Sequence, residues 1–129
     1  MQLQRSIVTK MMHHALLKAN ACGFLAFAAE QLIVHHGLQQ PLVATADIVR
    51  CAQLELAQHP GEQLYGVYYS GPDMPNLQPL LSLTLPTPFY FFWVSLTVKG
   101  VLEVNAFRYE KNAFVNESME LTSEAASQS

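Results

Sequence analysis

The chain has 129 residues, half of them hydrophobic and only 13% charged, with a formal net charge of −3. That length fits a single domain with a sizeable core and no need of metal or disulfide staples. The seven Lys and Arg residues are scattered rather than clustered, which argues against nucleic acid as a partner. A positive mean hydropathy of +0.15 leaves few polar side chains to clothe a small monomer. Burial of some apolar surface in a homo-oligomer is therefore expected, with a dimer favoured.

No hydrophobic run leads to a small-residue cleavage site near the N-terminus, so no secretory signal is read and a cytoplasmic location is expected. The richest apolar stretch, residues 21–29, is closed by Glu30 and Gln31. It falls short of the roughly 20 residues that a bilayer span requires, so no membrane segment is expected. Cys22 and Cys51 both fall in expected helices and read as buried free thiols.

In chain order, the pattern predicts a long helix over residues 6–36, with Ser6 as its cap and Gly37 as its left-handed stop. Such a helix would run about 45 Å at roughly 1.5 Å per residue, so it either bends near residues 20–23 or projects into a partner. Small residues recur along it at Ala15, Ala19, Cys22 or Gly23, Ala26 and Ala29, a spacing that lets another helix or the sheet approach closely and reads as core packing ahead of a dimer seam. A second helix is predicted over residues 46–58, capped by Thr45, with Asp47 in its first turn. His59, Pro60 and Gly61 end it.

From Gln63 the periodicity changes to that of strands, at residues 64–70 and again at 80–85. Between them lies an irregular stretch, residues 71–79, with three prolines, a place suited to binding residues. The strongest local signal is a hairpin over residues 88–109, two runs of aromatic and β-branched residues about a glycine. A three-residue loop of Val98, Lys99 and Gly100 pairs Leu96 with Leu102, Val94 with Val104 and Phe92 with Ala106, giving one continuously apolar face. Residues 112–121 add a short strand or a turn of helix. The expected fold is α+β, two N-terminal helices packed on one face of an antiparallel meander of four strands, or five with the last segment. One domain spans residues 1–121, and residues 122–129 read as a disordered tail.

Neighbouring histidines on a helix point about 100° apart, so neither His13 with His14 nor His35 with His36 can chelate as a pair. A metal site would have to be assembled from distant segments, so neither a metal nor a cofactor is expected, and His35 and His36 are the residues to watch. Ser70 lacks the small-residue elbow of a nucleophile and reads as a turn serine. Glu30 and His35 are the candidate acid or base groups, with Glu30 placed at the rim of the core. Tyr65, Tyr68, Phe89, Phe91, Trp93, Phe107 and Tyr109 all belong to the sheet. With helices covering one face only, they form a face for a partner chain or a small apolar ligand. The leading expectation is thus a non-enzymatic, homo-oligomeric binding module. The alternatives are a small cofactor-free enzyme using Glu30 or His35 at an apolar pocket, and an antitoxin-like or immunity-like protein that blocks a partner.

Overall fold

The computed structural model describes residues 2–18, 20–36, 45–96 and 102–122. The expected stop at Gly37, the loop residues 98–100 and the tail from 123 onward lie outside the described residues. No helix among the described residues is long and apolar enough to cross a membrane.

The chain opens with a short strand, β1 (Gln2–Gln4), and a helix, α1 (Arg5–Leu17). Gln4 stands at the N-cap with no side-chain bond to the helix, and the expected cap, Ser6, lies inside the first turn. Ile7, Val8 and Met11 form the buried stripe of α1, at the three- and four-residue spacing of a helix with one face inward.

The long helix expected over residues 6–36 ends at Leu17, and its second half is a β-hairpin. Strands β2 (Cys22–Ala28) and β3 (Gln31–His36) pair antiparallel. The turn between them is Ala29 and Glu30, with φ of 50° and 64°, the two-residue form whose twist suits a hairpin. The apolar run 21–29 is therefore mostly an interior strand, covered on both faces from Ala21 to Ala26, and such strands read as continuous hydrophobic stretches.

Helix α2 (Thr45–Leu56) falls close to expectation. The Thr45 hydroxyl donates to the Asn76 carbonyl at 2.7 Å, fastening the start of the helix to the connection that follows β4 (Gln63–Ser70). Within that connection, residues 80–85 do not form the expected strand. Gln78–Ser82 make a 3-10 turn with proline in its first turn, a position where the missing N–H of Pro79 costs nothing. Strands β5 (Tyr90–Leu96) and β6 (Leu102–Glu110) follow in the expected register, Phe92 opposite Ala106 and Val94 opposite Val104. A second two-residue turn, Lys111 and Asn112, again with positive φ, leads to β7 (Ala113–Glu117). The last strand, β8 (Glu120–Thr122), pairs in parallel with β1.

Six strands form the main sheet in the order β3-β2-β4-β5-β6-β7. The expected meander fails at one joint, because β4 and β5 run parallel and the chain must cross over between them. The helices are not on one face either. Helix α1 covers a core of Leu25, Tyr68, Phe92 and Val94. Helix α2 and the 3-10 turn cover the opposite core of Phe24, Val67, Phe89 and Phe91. Each face has its own cover, so the aromatic sheet needs no second chain to shield it.

Candidate functional site

Strand β3 lies at the sheet edge and sends His36 toward the α1 side and His35 toward the α2 side, since successive strand residues alternate faces. Each histidine heads a cross-strand row. The first row is His36, Gly23, Tyr68, Phe92 and Ala106, and the second is His35, Phe24, Val67, Phe91 and Phe107.

In the first row, Gly23 is required by a close approach. A Cβ there would sit 2.6 Å from the Tyr68 ring and against the His35 carbonyl. The bare backbone lets the Tyr68 ring lean across β2, where its hydroxyl lies 2.8 Å from His36 Nδ1 and 2.6 Å from Nδ1 of His14 on α1. The hydroxyl has one proton, so with both rings neutral it donates to one Nδ1 and accepts an N–H from the other. The two imidazoles therefore carry opposite tautomers. Burial lowers the pKa of His14, helped by His36 and Lys18. It also lowers that of His36, with Lys10, His13 and His35 adding to the effect. Burial raises the Tyr68 phenol well above its ordinary value. All three groups are held neutral, a polar tie that satisfies a phenol in the core.

The second row builds a different arrangement. The His35 ring stacks on buried Phe24, centroids 4.6 Å apart and 20° from parallel. That stack turns Nε2 to Glu62 Oε1 at 2.7 Å. The turn after α2 brings in a third group, since His59 donates its backbone N–H to Leu56 and receives that of Glu62. His59 Nδ1 is then 3.6 Å from Glu62 Oε2, and its ring centroid is 4.5 Å from that of His35. These side chains are 21% (His35), 15% (Glu62) and 36% (His59) exposed, partly shielded yet open to water. Glu62 also forms part of the wall of a groove of about 620 Å³, with Phe27, Leu56, Leu64, Tyr65, Pro86 and Pro88 among the other lining residues.

The fold has solved counterparts. The solution structure of protein DSY2949 from Desulfitobacterium hafniense is similar with a TM-score of 0.60 at 17% identity, over 95% of this chain and 93% of that one. A protein from Salinibacter ruber, also solved in solution, is similar with a TM-score of 0.58 at 25% identity, over 95% and 92%. No protein-family profile and no curated protein sequence matches the chain. The likeness bears on the fold, and the chemistry rests on the residues themselves.

The residues expected to form one aromatic face are divided between the two sides of the sheet. Tyr65 and Tyr68 belong with the α1 core, while Phe89, Phe91, Trp93, Phe107 and Tyr109 belong with the α2 core. Phe89, Phe91 and Phe107 are buried. The indole of Trp93 donates to the Gly71 carbonyl at 3.1 Å and the Tyr109 hydroxyl to Asn112 Oδ1 at 2.9 Å. Phe107 borders a hollow of about 410 Å³ with Met74, Leu77 and Phe114, so the irregular stretch 71–79 meets two of the expected aromatics, Trp93 and Phe107. Glu30 is exposed in the hairpin turn, as a rim residue should be, beside a small hollow with Leu3, Ile7 and Leu32. His35 is brought together with His59 and Glu62 instead.

Cys22 lies in a strand, not a helix, and Cys51 in α2. Both are free thiols, and burial raises the pKa of Cys22. The Ser70 hydroxyl accepts from the Ala21 N–H at 2.9 Å. Sequence reasoning missed His59 and Glu62 as partners of His35. The available signal was their i, i+3 spacing around Pro60 and Gly61, a turn that folds both side chains to one side immediately before a strand.

Proposed function

We propose that the chain is a small-molecule binding module, its ligand an apolar body seated in the groove at the C-terminal end of α2 with a polar end turned toward Glu62. The observation that carries this reading is the groove itself, about 620 Å³, with Phe27, Leu56, Leu64, Pro86 and Pro88 in its walls. Sites for small ligands occupy roughly 300–1,000 Å³ and combine mostly apolar walls with a few placed polar groups. Phe27 supports it further, because 41% of this ring residue is left to water and a ligand would cover it at a gain of about 25 cal/mol per Å². The aromatic sheet face supports it by contrast, since those rings are already packed against α2 and the 3-10 turn.

An uncharged solvatochromic dye such as Nile red tests the groove. Saturable one-to-one binding is expected, weakened about tenfold or more, at least 1.4 kcal/mol, by Gln53→Trp and by Thr87→Trp. Both replaced residues are exposed and line the groove, so the added indoles fill it without entering the core. Binding that does not saturate, or that both variants leave unchanged, would overturn the proposal.

A further inference from the structure

The geometry points to a divalent transition-metal site formed by His35, His59 and Glu62. One donor atom from each of the three lies within 4.8 Å of the others. Two imidazole nitrogens and one carboxylate oxygen are a donor set suited to zinc, and to iron or cobalt in the same oxidation state. Bonds of about 2.0–2.2 Å place neighbouring ligand atoms roughly 3.3 Å apart. His35 Nε2 lies 2.7 Å from Glu62 Oε1, a contact that opens slightly on metal entry, and His59 Nδ1 lies 3.6 Å from the other carboxylate oxygen, Oε2, so a small rotation of the carboxylate brings one oxygen between the two imidazoles.

Two features hold the donors ready. His35 is on a strand, and its ring is braced flat on Phe24, which is 1% exposed. His59 and Glu62 are pinned by the backbone bonds that close their turn, at 2.9 and 3.2 Å. With both imidazoles neutral, the carboxylate is the one negative charge in the set, so a bound dication keeps a net positive charge. Three protein ligands leave at least one coordination position open, as metals that bind exogenous ligands require. Glu62 is shared with the groove, so an occupant of the groove with a carboxylate or other oxygen donor would lie beside that open position.

The site stands on the three side chains and does not depend on the groove being a ligand site, so its test uses the metal alone. Titration of the full chain with zinc, followed by calorimetry, is expected to give one equivalent per chain. His35→Ala, His59→Ala and Glu62→Gln should each weaken binding by more than about tenfold. His13→Ala, at an exposed position on α1, should leave it unchanged. Circular dichroism of each variant separates lost binding from lost fold, and His59→Ala, in an exposed turn, keeps the test alive if His35→Ala unfolds. Cobalt substitution gives a second reading, a visible ligand-field spectrum without thiolate charge-transfer bands. No stoichiometric uptake, affinity untouched by the three variants, or a thiolate band from Cys22 or Cys51 would each overturn the site.

Discussion

The two histidine rows differ at one residue of β2, and that residue decides what each edge histidine does. Opposite His36 stands Gly23, and the missing side chain admits the Tyr68 ring, so His36 is drawn to a buried phenol shared with His14. Opposite His35 stands Phe24, whose ring fills that space and leaves His35 stacked, with Nε2 turned outward to Glu62. The first cluster contains no anion, and its hydroxyl is buried although the His36 side chain itself reaches solvent at the sheet edge. The second has a carboxylate and partial access to water. Two identical side chains, adjacent in sequence, thus become a structural tie on one face and a candidate ligand on the other.

The largest effect should come from erasing the glycine. Gly23→Ala drives a methyl group into the Tyr68 ring and the His35 carbonyl, and a clash with backbone on one side leaves little room to relax. A loss of about 3 kcal/mol or more in urea unfolding is expected. A loss under about 1 kcal/mol would mean that Tyr68 does not cross β2 as described.

Acid should act on the first row through His14. Its pKa is held below the ordinary 6.5, so between the lowered value and 6.5 the unfolded chain binds more protons than the folded one. This contribution to stability is fully present above 6.5 and is lost as the pH falls through that window. The groups facing His14 are His36 and Lys18, both of which repel the added charge, and the Tyr68 hydroxyl. Unfolding midpoints measured from about pH 7.5 to about 5.5 should fall, and His14→Gln should flatten the fall. An unchanged slope in that variant would remove His14 from the account.

The smallest effect concerns the hairpin that carries both rows. Glu30 is exposed at φ 64°, a conformation that costs a residue with a side chain about 1 kcal/mol. Glu30→Gly should stabilise the chain by up to that amount in the same unfolding assay, and a destabilised variant would argue against this turn.

That turn also explains how much of the fold was legible in the sequence. The β5–β6 register could be read because polar and apolar residues alternate there, and one slip would mix them. Helix α2 could be read because Thr45, Asp47 and the His59-Pro60-Gly61 stop bracket an amphipathic stripe. The β2–β3 hairpin could not. Its apex is Ala29 and Glu30, with neither Gly nor Asn to mark it, and β2 is buried on both faces from Cys22 to Ala26, so its period of two vanishes into an unbroken apolar run that imitates a helix. The misread period then hid the site. On a helix His35 and His36 would share neither a face nor a partner, while on a strand they divide cleanly between the two sides. His59 and Glu62 were visible as residues, but what they meet depends on β3 lying beside their turn.

The most direct measurement is a long-range proton–nitrogen correlation spectrum of the five imidazoles during a zinc titration. The account predicts that His35 and His59 shift together and saturate at one equivalent, while His14 and His36 keep opposite neutral tautomers throughout. A spectrum in which His36 or His14 takes the metal, or in which His35 and His59 respond independently, would contradict it.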